Sequence, residues 1–276
     1  MEHVMKVVVV GASGMMGSKI VRALERAGQN VGEASSRSGI DVLRGDGLDA
    51  AFANADVVID ATNHGSFGDG DALAFFKQAG RNLLKAAKLA GVRHYLALSV
   101  VGAERLVEND YFRAKLIQEN IVRASGVPHT IVRSTQFFEF FGSIVNSSAA
   151  DDSLRVANLR LQPISADEAA GLIAKLATGK PINSVLEVGG PEPMELLDIA
   201  RELLTATEDA RPVASDPDVA YFGVSLAPES LLPAEQAYPA SCHFMTGFQE
   251  PFTREAMQWP RRGFSTTSAD HVTLPI

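Results

Sequence analysis

The stretch that most constrains this chain is Lys6–Gly17, KVVVVGASGMMG, with the run Ser18–Ala27 behind it. Four consecutive valines are β-branched and apolar on both sides, which suits a central parallel strand buried on both faces. The strand stops at Gly11. Ile20, Val21 and Leu24 then share one side of a helix, and Gly28 fits its left-handed end. Strand, glycine-rich turn and helix start together make an anion site. Backbone N–H groups and the positive helix end point outward, and the missing Cβ atoms permit close approach. The spacing is Gly11-x-x-Gly14-x-x-Gly17 rather than GxGxxG. Its place between a first strand and a helix nevertheless meets the context a dinucleotide site requires. The plainer reading is three turn glycines.

Strand and helix patterns alternate from there on. Asn30–Ala34 predicts a second strand, ending at Ser35-Ser36-Arg37. A carboxylate near such an end holds the ribose hydroxyls of NAD. Two hydroxyls and an arginine suit the extra phosphate of NADP instead, so NADP is expected over NAD. Glu33 reads as a mid-strand side chain. Asp41–Ala55 predicts a short strand and a helix at Leu48–Phe52, leading to the apolar strand Asp56–Ala61. Ala61-Thr62-Asn63 should border the cofactor, because ligands in open α/β sheets lie at strand carboxyl ends. After the glycine-rich segment His64–Asp71 comes a helix over Ala72–Ala90, then a strand from His94 to Val101 that carries Ser99. The alternation predicts a doubly wound parallel α/β sheet with right-handed crossovers.

The next stretch, Asp110–Glu119, carries the chemistry. Tyr111 and Lys115 stand four apart and share a helix face. An ammonium beside a phenol favours the phenolate and lowers its pKa. Such a phenol can exchange a proton with a carbinol oxygen as hydride moves, while the lysine holds the nicotinamide ribose. An ordinary amphipathic helix with an exposed lysine gives the same spacing.

Composition bounds the rest. With 276 residues, 46% of them hydrophobic, the chain can bury a large core. Its net charge of −8, with no basic run, argues against nucleic acid as a partner. A lone Cys242 and six histidines without ligand spacing point to no disulfide and no metal site. No apolar run reaches membrane-spanning length, and Met1–Lys6 leads straight into the first strand. A cytoplasmic chain with a small-molecule substrate, no membrane partner and a homodimeric assembly is expected.

The glycine triplet, Ser99 at a strand end and Tyr111-x-x-x-Lys115 together resemble the short-chain dehydrogenase/reductase superfamily. The run Tyr111–Phe141, with SGVPHTIVRSTQFF at residues 125–138, resembles its atypical, NmrA-like branch. The resemblance spans roughly residues 5–235 and implies a Rossmann fold. By it, Gly11, Ser13, Gly14, Met15, Met16 and Gly17 line the pyrophosphate, and Ser36 and Arg37 the adenosine phosphate. Ala61, Thr62, Asn63 and Lys115 complete the cofactor site, with Tyr111 as acid/base and Ser99 as the third catalytic residue. Two functions follow: NADP(H)-dependent reduction of a carbonyl or quinone-like molecule, or a sensor of the NADP(H) ratio that signals to a protein partner.

A Rossmann core is expected over residues 1–150. The remaining Rossmann elements, over 151–276, interleave with a small substrate-side lobe. Phe137, Phe138, Phe140 and Phe141 are core packing in the plain reading and a pocket roof in the other. A strand is expected in Leu159–Ile164, a helix over Ala169–Ala177 capped by Ser165–Glu168, a last strand at Ser184–Val188, and a helix at Glu195–Ala206. The tail 240–276 fits neither periodicity, yet Phe244, Phe248, Trp259 and Phe264 make it too aromatic for simple disorder.

Overall fold

The computed structural model describes residues 4–64, 71–146, 149–150, 153–234 and 237–244. Most of the segment His64–Asp71 and the tail from residue 245, with Phe248, Trp259 and Phe264, lie outside them. The valine run forms β1 (Lys6–Val10), followed by α1 (Met15–Arg26) and β2 (Asn30–Ala34). Next come α2 (Leu48–Phe52), β3 (Val57–Asp60), α3 (Asp71–Leu89), β4 (His94–Val100), α4 (Asp110–Ala124) and β5 (His129–Ser134). The second half runs α5 (Phe141–Asn146), β6 (Ala149–Ala150), β7 (Ser153–Ala157), β8 (Arg160–Leu161), α6 (Ala166–Ala177) and β9 (Ser184–Gly189). It closes with β10 (Met194–Glu195), α7 (Leu196–Ala206), β11 (Val213–Asp216) and β12 (Tyr238–Pro239).

One parallel sheet holds the body together, in the order β12-β9-β5-β4-β3-β1-β2, with β12 a two-residue edge. Alternation along β1 divides the core. Val7 and Val9 face α1 and α6, whereas Val8 and Val10 face α2 and α3. All four are at most 1% exposed, and each buried side chain contributes about 1.5–3 kcal/mol. β1 pairs with β2 on one side and β3 on the other, Val9 standing opposite Glu33 and Ile59. The chain changes direction there, so a crevice opens above the carboxyl ends of these strands.

A second core sits beyond β5. Phe138, Phe141, Leu154, Ile199, Leu203 and Phe244 cluster between α5, α7 and the small sheet β11-β7-β6. Four local readings change. Asp41–Ala55 gives no sheet strand, only a bridge between Asp41 and Asp46. The Asp41 carboxylate accepts from the amides of Leu43 and Arg44, and this local turn competes with a ladder. α6 begins at Ala166 rather than Ala169, and Ser165 makes no capping hydrogen bond; Glu139 Oε2 accepts from the Ala166 amide at 3.3 Å instead. β9 is not the last strand. The beginning of the tail packs on its own chain: Ala240 donates to Gly189, Cys242 to Glu168, and Phe244 is 1% exposed.

Candidate active site

A cavity of about 730 Å³ lies along the carboxyl ends of β1 to β5. At one end it is bounded by Gly11, Ser13, Gly14, Met15 and Met16, by Ser35 and Ser36 after β2, and by the loop Gly39–Leu43. Ala61, Thr62 and Asn63 form the middle. Ser99, Tyr111, Phe112, Lys115 and Ser134–Phe137 enclose the other end, where Phe140, Tyr221 and Phe222 join them.

The three glycines do different work. Gly11 has φ +80°, and a Cβ there would stand 2.8 Å from the Ala61 carbonyl oxygen. A Cβ on Gly17 would stand 2.0 Å from the Gly11 oxygen, so Gly17 brings α1 against the turn and does not line the cavity. Gly14, with φ −80° and ψ 170°, takes a conformation open to any residue, and its Cβ would meet only the Gly11 oxygen, at 3.3 Å. What Gly14 keeps clear is the cavity itself. The amides of Met15 and Met16, in the first turn of α1, have no partners within the helix, and both residues border that space. A pyrophosphate fits this cradle.

Arg37 departs from expectation. It is exposed in a 3₁₀ turn over Ser36–Ser38 and does not border the cavity, whereas Ser35 and Ser36 do. Glu33 is likewise exposed and off the wall. The sequence reading missed the loop Gly39–Leu43, which closes this end.

Tyr111 and Lys115 both border the cavity, but not as an ion-assisted pair. The Tyr111 hydroxyl donates to Asn63 Oδ1 at 2.9 Å, joining α4 to the segment after β3. Burial raises its pKa, the Asn63 hydrogen bond opposes this only in part, and the phenol stays protonated far above neutrality. The expected lowering is thus reversed. Burial decides the direction, and Lys115, whose ammonium is turned to other partners, does not offset it. Its Nζ donates to the Leu98 carbonyl at 2.7 Å and to Gln118 Oε1 at 2.5 Å, and lies 4.5 Å from the Phe76 ring centre. Burial lowers its pKa from 10.5 to about 8, against the pull of Asp60 and Glu119.

Behind them lies a polar layer that the sequence did not announce. Asp60, 1% exposed, accepts from Thr62 N and Oγ1, Tyr95 Oη and Gln118 Nε2. Ser99 borders the cavity but donates to Glu119 Oε1 at 2.7 Å. Burial pushes the Glu119 carboxyl up, yet the hydrogen bonds from Arg133 and Ser99 outweigh it and hold the group below the ordinary range. Thr135 Oγ1 and Gln136 Oε1 are buried without a hydrogen-bond partner among the described residues, and both residues border the cavity. Leaving such groups unpaired costs about 1–3 kcal/mol each, which a polar ligand would relieve.

The phenylalanine cluster divides between the two readings. Phe137 and Phe140 border the cavity, while Phe138 and Phe141 pack on Phe244.

Residues 11–139 match the model of the NAD(P)H-binding family. A curated relative from Arabidopsis thaliana, the chloroplastic divinyl chlorophyllide a 8-vinyl-reductase, is 28% identical over 221 residues, 67% of this chain and 53% of its own. The chain therefore spans about half the length of that relative. Among solved structures, a novel NAD-dependent NDP-hexosamine 5,6-dehydratase of tunicamycin biosynthesis superposes with a TM-score of 0.70 at 17% identity, covering 92% of this chain and 98% of that one. The Thermus thermophilus UDP-glucose 4-epimerase, in complex with NAD, gives 0.60 at 16%, covering 81% and 91%. At these identities the likeness is one of fold. Cradle, switch point and matches agree: the chain has a Rossmann fold, and its residues 11–139 match the NAD(P)H-binding family.

Proposed function

We propose that this protein is an NADP(H)-dependent reductase of a carbonyl or quinone-like small molecule. One observation carries the reading: a protonated phenol, Tyr111, sits on the cavity wall, held by Asn63 and kept from ionising by burial. When bound, NADPH supplies the hydride. Gly11, Ser13, Gly14 and Met15 hold the pyrophosphate, Ser36 with Arg37 the adenosine phosphate, and Asn63 and Lys115 the nicotinamide side. Tyr111 passes its proton to the substrate oxygen and regains one from solvent. Gln136 offers an amide to whatever polar group lies beside it. Residues 1–150 carry the cofactor, and the lobe around the second core closes the substrate side.

A binding-only role is the second reading, and it too has an observation behind it. Ser99 gives its hydroxyl to Glu119, and Lys115 gives two ammonium protons to Leu98 and Gln118. Tyr111 likewise gives its hydroxyl proton to Asn63, so each of the three catalytic candidates is engaged with a protein partner. Mixing the protein with NADPH and a panel of carbonyls and quinones, and following nicotinamide absorbance, separates the two. Loss of absorbance with any of them supports the reductase. No loss, together with NADPH-dependent association with another protein, supports the sensor.

A further inference from the structure

The turn Tyr221–Val224 places a large side chain where a small one is usual. Tyr221 and Val224 exchange hydrogen bonds of 2.9 and 3.1 Å, so Phe222 and Gly223 are the two central residues of a tight hairpin. Both have positive φ, +50° at Phe222 and +81° at Gly223. Such a turn prefers Asn-Gly, because a bulky L-residue is crowded in the left-handed region. Local folding therefore gives no reason for a phenylalanine there.

Its surroundings give one. Phe222 borders the cavity, with ring centres 5.8 Å from Phe112 and 4.7 Å from Tyr221. Asn109 ties the turn to the site: its Nδ2 donates to the Phe222 carbonyl at 3.2 Å, and its Oδ1 caps α4 by accepting from the Tyr111 amide at 3.0 Å. One residue thus fixes both the proton donor and the strained ring. Phe75, Phe112, Phe140 and Tyr221 complete an aromatic wall at this end. The polar groups at this end, on Ser99, Tyr111, Ser134, Thr135, Gln136 and Ser143, are uncharged. Lys115, the cation of the described wall, is turned to Leu98 and Gln118.

We infer that Phe222 is a specificity-determining residue, and that the end of the cavity it closes takes a flat, conjugated, uncharged ligand rather than a nucleotide sugar. Aromatic walls favour conjugated apolar faces, whereas a diphosphate needs presented cations or a helix-start cradle, and the glycine cradle lies at the other end of the cavity. The inference deepens the reductase reading by naming its substrate class, and it rests on that reading's assignment of this end to the substrate.

The test separates binding from turnover. The full chain, saturated with NADP⁺, or with NAD⁺ where that binds more tightly, is titrated by calorimetry with menadione and with UDP-glucose. No hydride can move to either from an oxidised cofactor. Menadione should bind and UDP-glucose should not. Phe222→Asn keeps the turn, relieves its crowding and removes the ring. It should melt no lower than the wild type, keep its cofactor affinity, and bind menadione about tenfold more weakly. Phe222→Tyr should restore that affinity. The inference is overturned if UDP-glucose binds as tightly as menadione, if menadione does not bind, or if a folded Phe222→Asn binds it like the wild type. Should Phe222→Asn fail to fold, unchanged affinity in Phe222→Leu would overturn it equally. Menadione that binds but is never reduced with NADPH would instead count against the reductase reading and leave this one standing.

Discussion

A Cβ on Gly17 would stand 2.0 Å from the Gly11 carbonyl oxygen, so the last glycine of the triplet is demanded by the fold and not by a ligand. Gly14 faces a weaker constraint: it borders the cavity, and a Cβ there would meet only the Gly11 oxygen, at 3.3 Å. The two therefore predict opposite failures. Gly17→Ala should destabilise the protein by about 3 kcal/mol or more, because backbone must move. Gly14→Val should lose nucleotide binding while its stability stays within about 1 kcal/mol of the wild type. Denaturant melts and NADPH titrations of both variants check this, and a well-folded Gly14→Val that still binds would remove the pyrophosphate assignment.

Lys115 gives a prediction in pH. Its folded pKa of about 8 lies below the ordinary 10.5, because burial penalises the ammonium. Between those values the unfolded chain holds a proton that the folded chain has released. Stability from this group therefore rises with pH across the window, by at most about 3 kcal/mol. Comparing denaturant midpoints of wild type and Lys115→Met from about pH 7 to about pH 9.5 isolates the contribution, since other titrating groups are common to both. The wild type should gain on the variant as pH rises; parallel curves would mean that Lys115 titrates normally.

How much of this was legible follows from how local each feature is. The strand, turn and helix at Lys6–Arg26 are written in neighbouring residues, and the sequence announces them. Tyr111-x-x-x-Lys115 is equally local, and both residues do border the cavity. The direction of the Lys115 side chain was not legible. It depends on Gln118, which is held by Asp60 from 58 residues away. The polar layer around Asp60 and Glu119 stayed hidden for the same reason: carboxylates in a sequence look solvated until burial and distant donors are known. Phe222 is the extreme case, joined to Asn109 across 113 residues of chain. Its one local sign was Phe-Gly in a loop-rich stretch.

Cofactor preference turns on Arg37. Glu33 of β2 stands off the cavity wall, and Asp41 of the following loop borders it but accepts from the Leu43 and Arg44 amides; Ser35 and Ser36 border it too, with Arg37 next to them in solvent. NADP(H) should bind more tightly than NAD(H), and Arg37→Ala should erase most of the difference. A charge-assisted contact is worth roughly 1.5–3 kcal/mol, or about tenfold and upward in affinity. Equal calorimetric affinities for the two cofactors in the wild type would refute the assignment.

The chemistry itself is tested at Tyr111. Replacing it with phenylalanine keeps the ring packed against Phe76 and Phe112 and removes only the hydroxyl that donates to Asn63. Asn63 is exposed, so losing this partner leaves no buried group stranded, and the fold should tolerate the change. Cofactor affinity should stay close to that of the wild type. Turnover of a carbonyl substrate should fall roughly 10²–10⁴-fold, the usual worth of general acid catalysis. With its pKa raised by burial, the phenol stays protonated at neutral pH, so the wild-type rate should show no fall from Tyr111 ionising there. A quinone accepts hydride with less help and should lose less. An undiminished carbonyl rate in Tyr111→Phe would show that the proton comes from elsewhere, and water reached through Gln136 would then be the next donor to test.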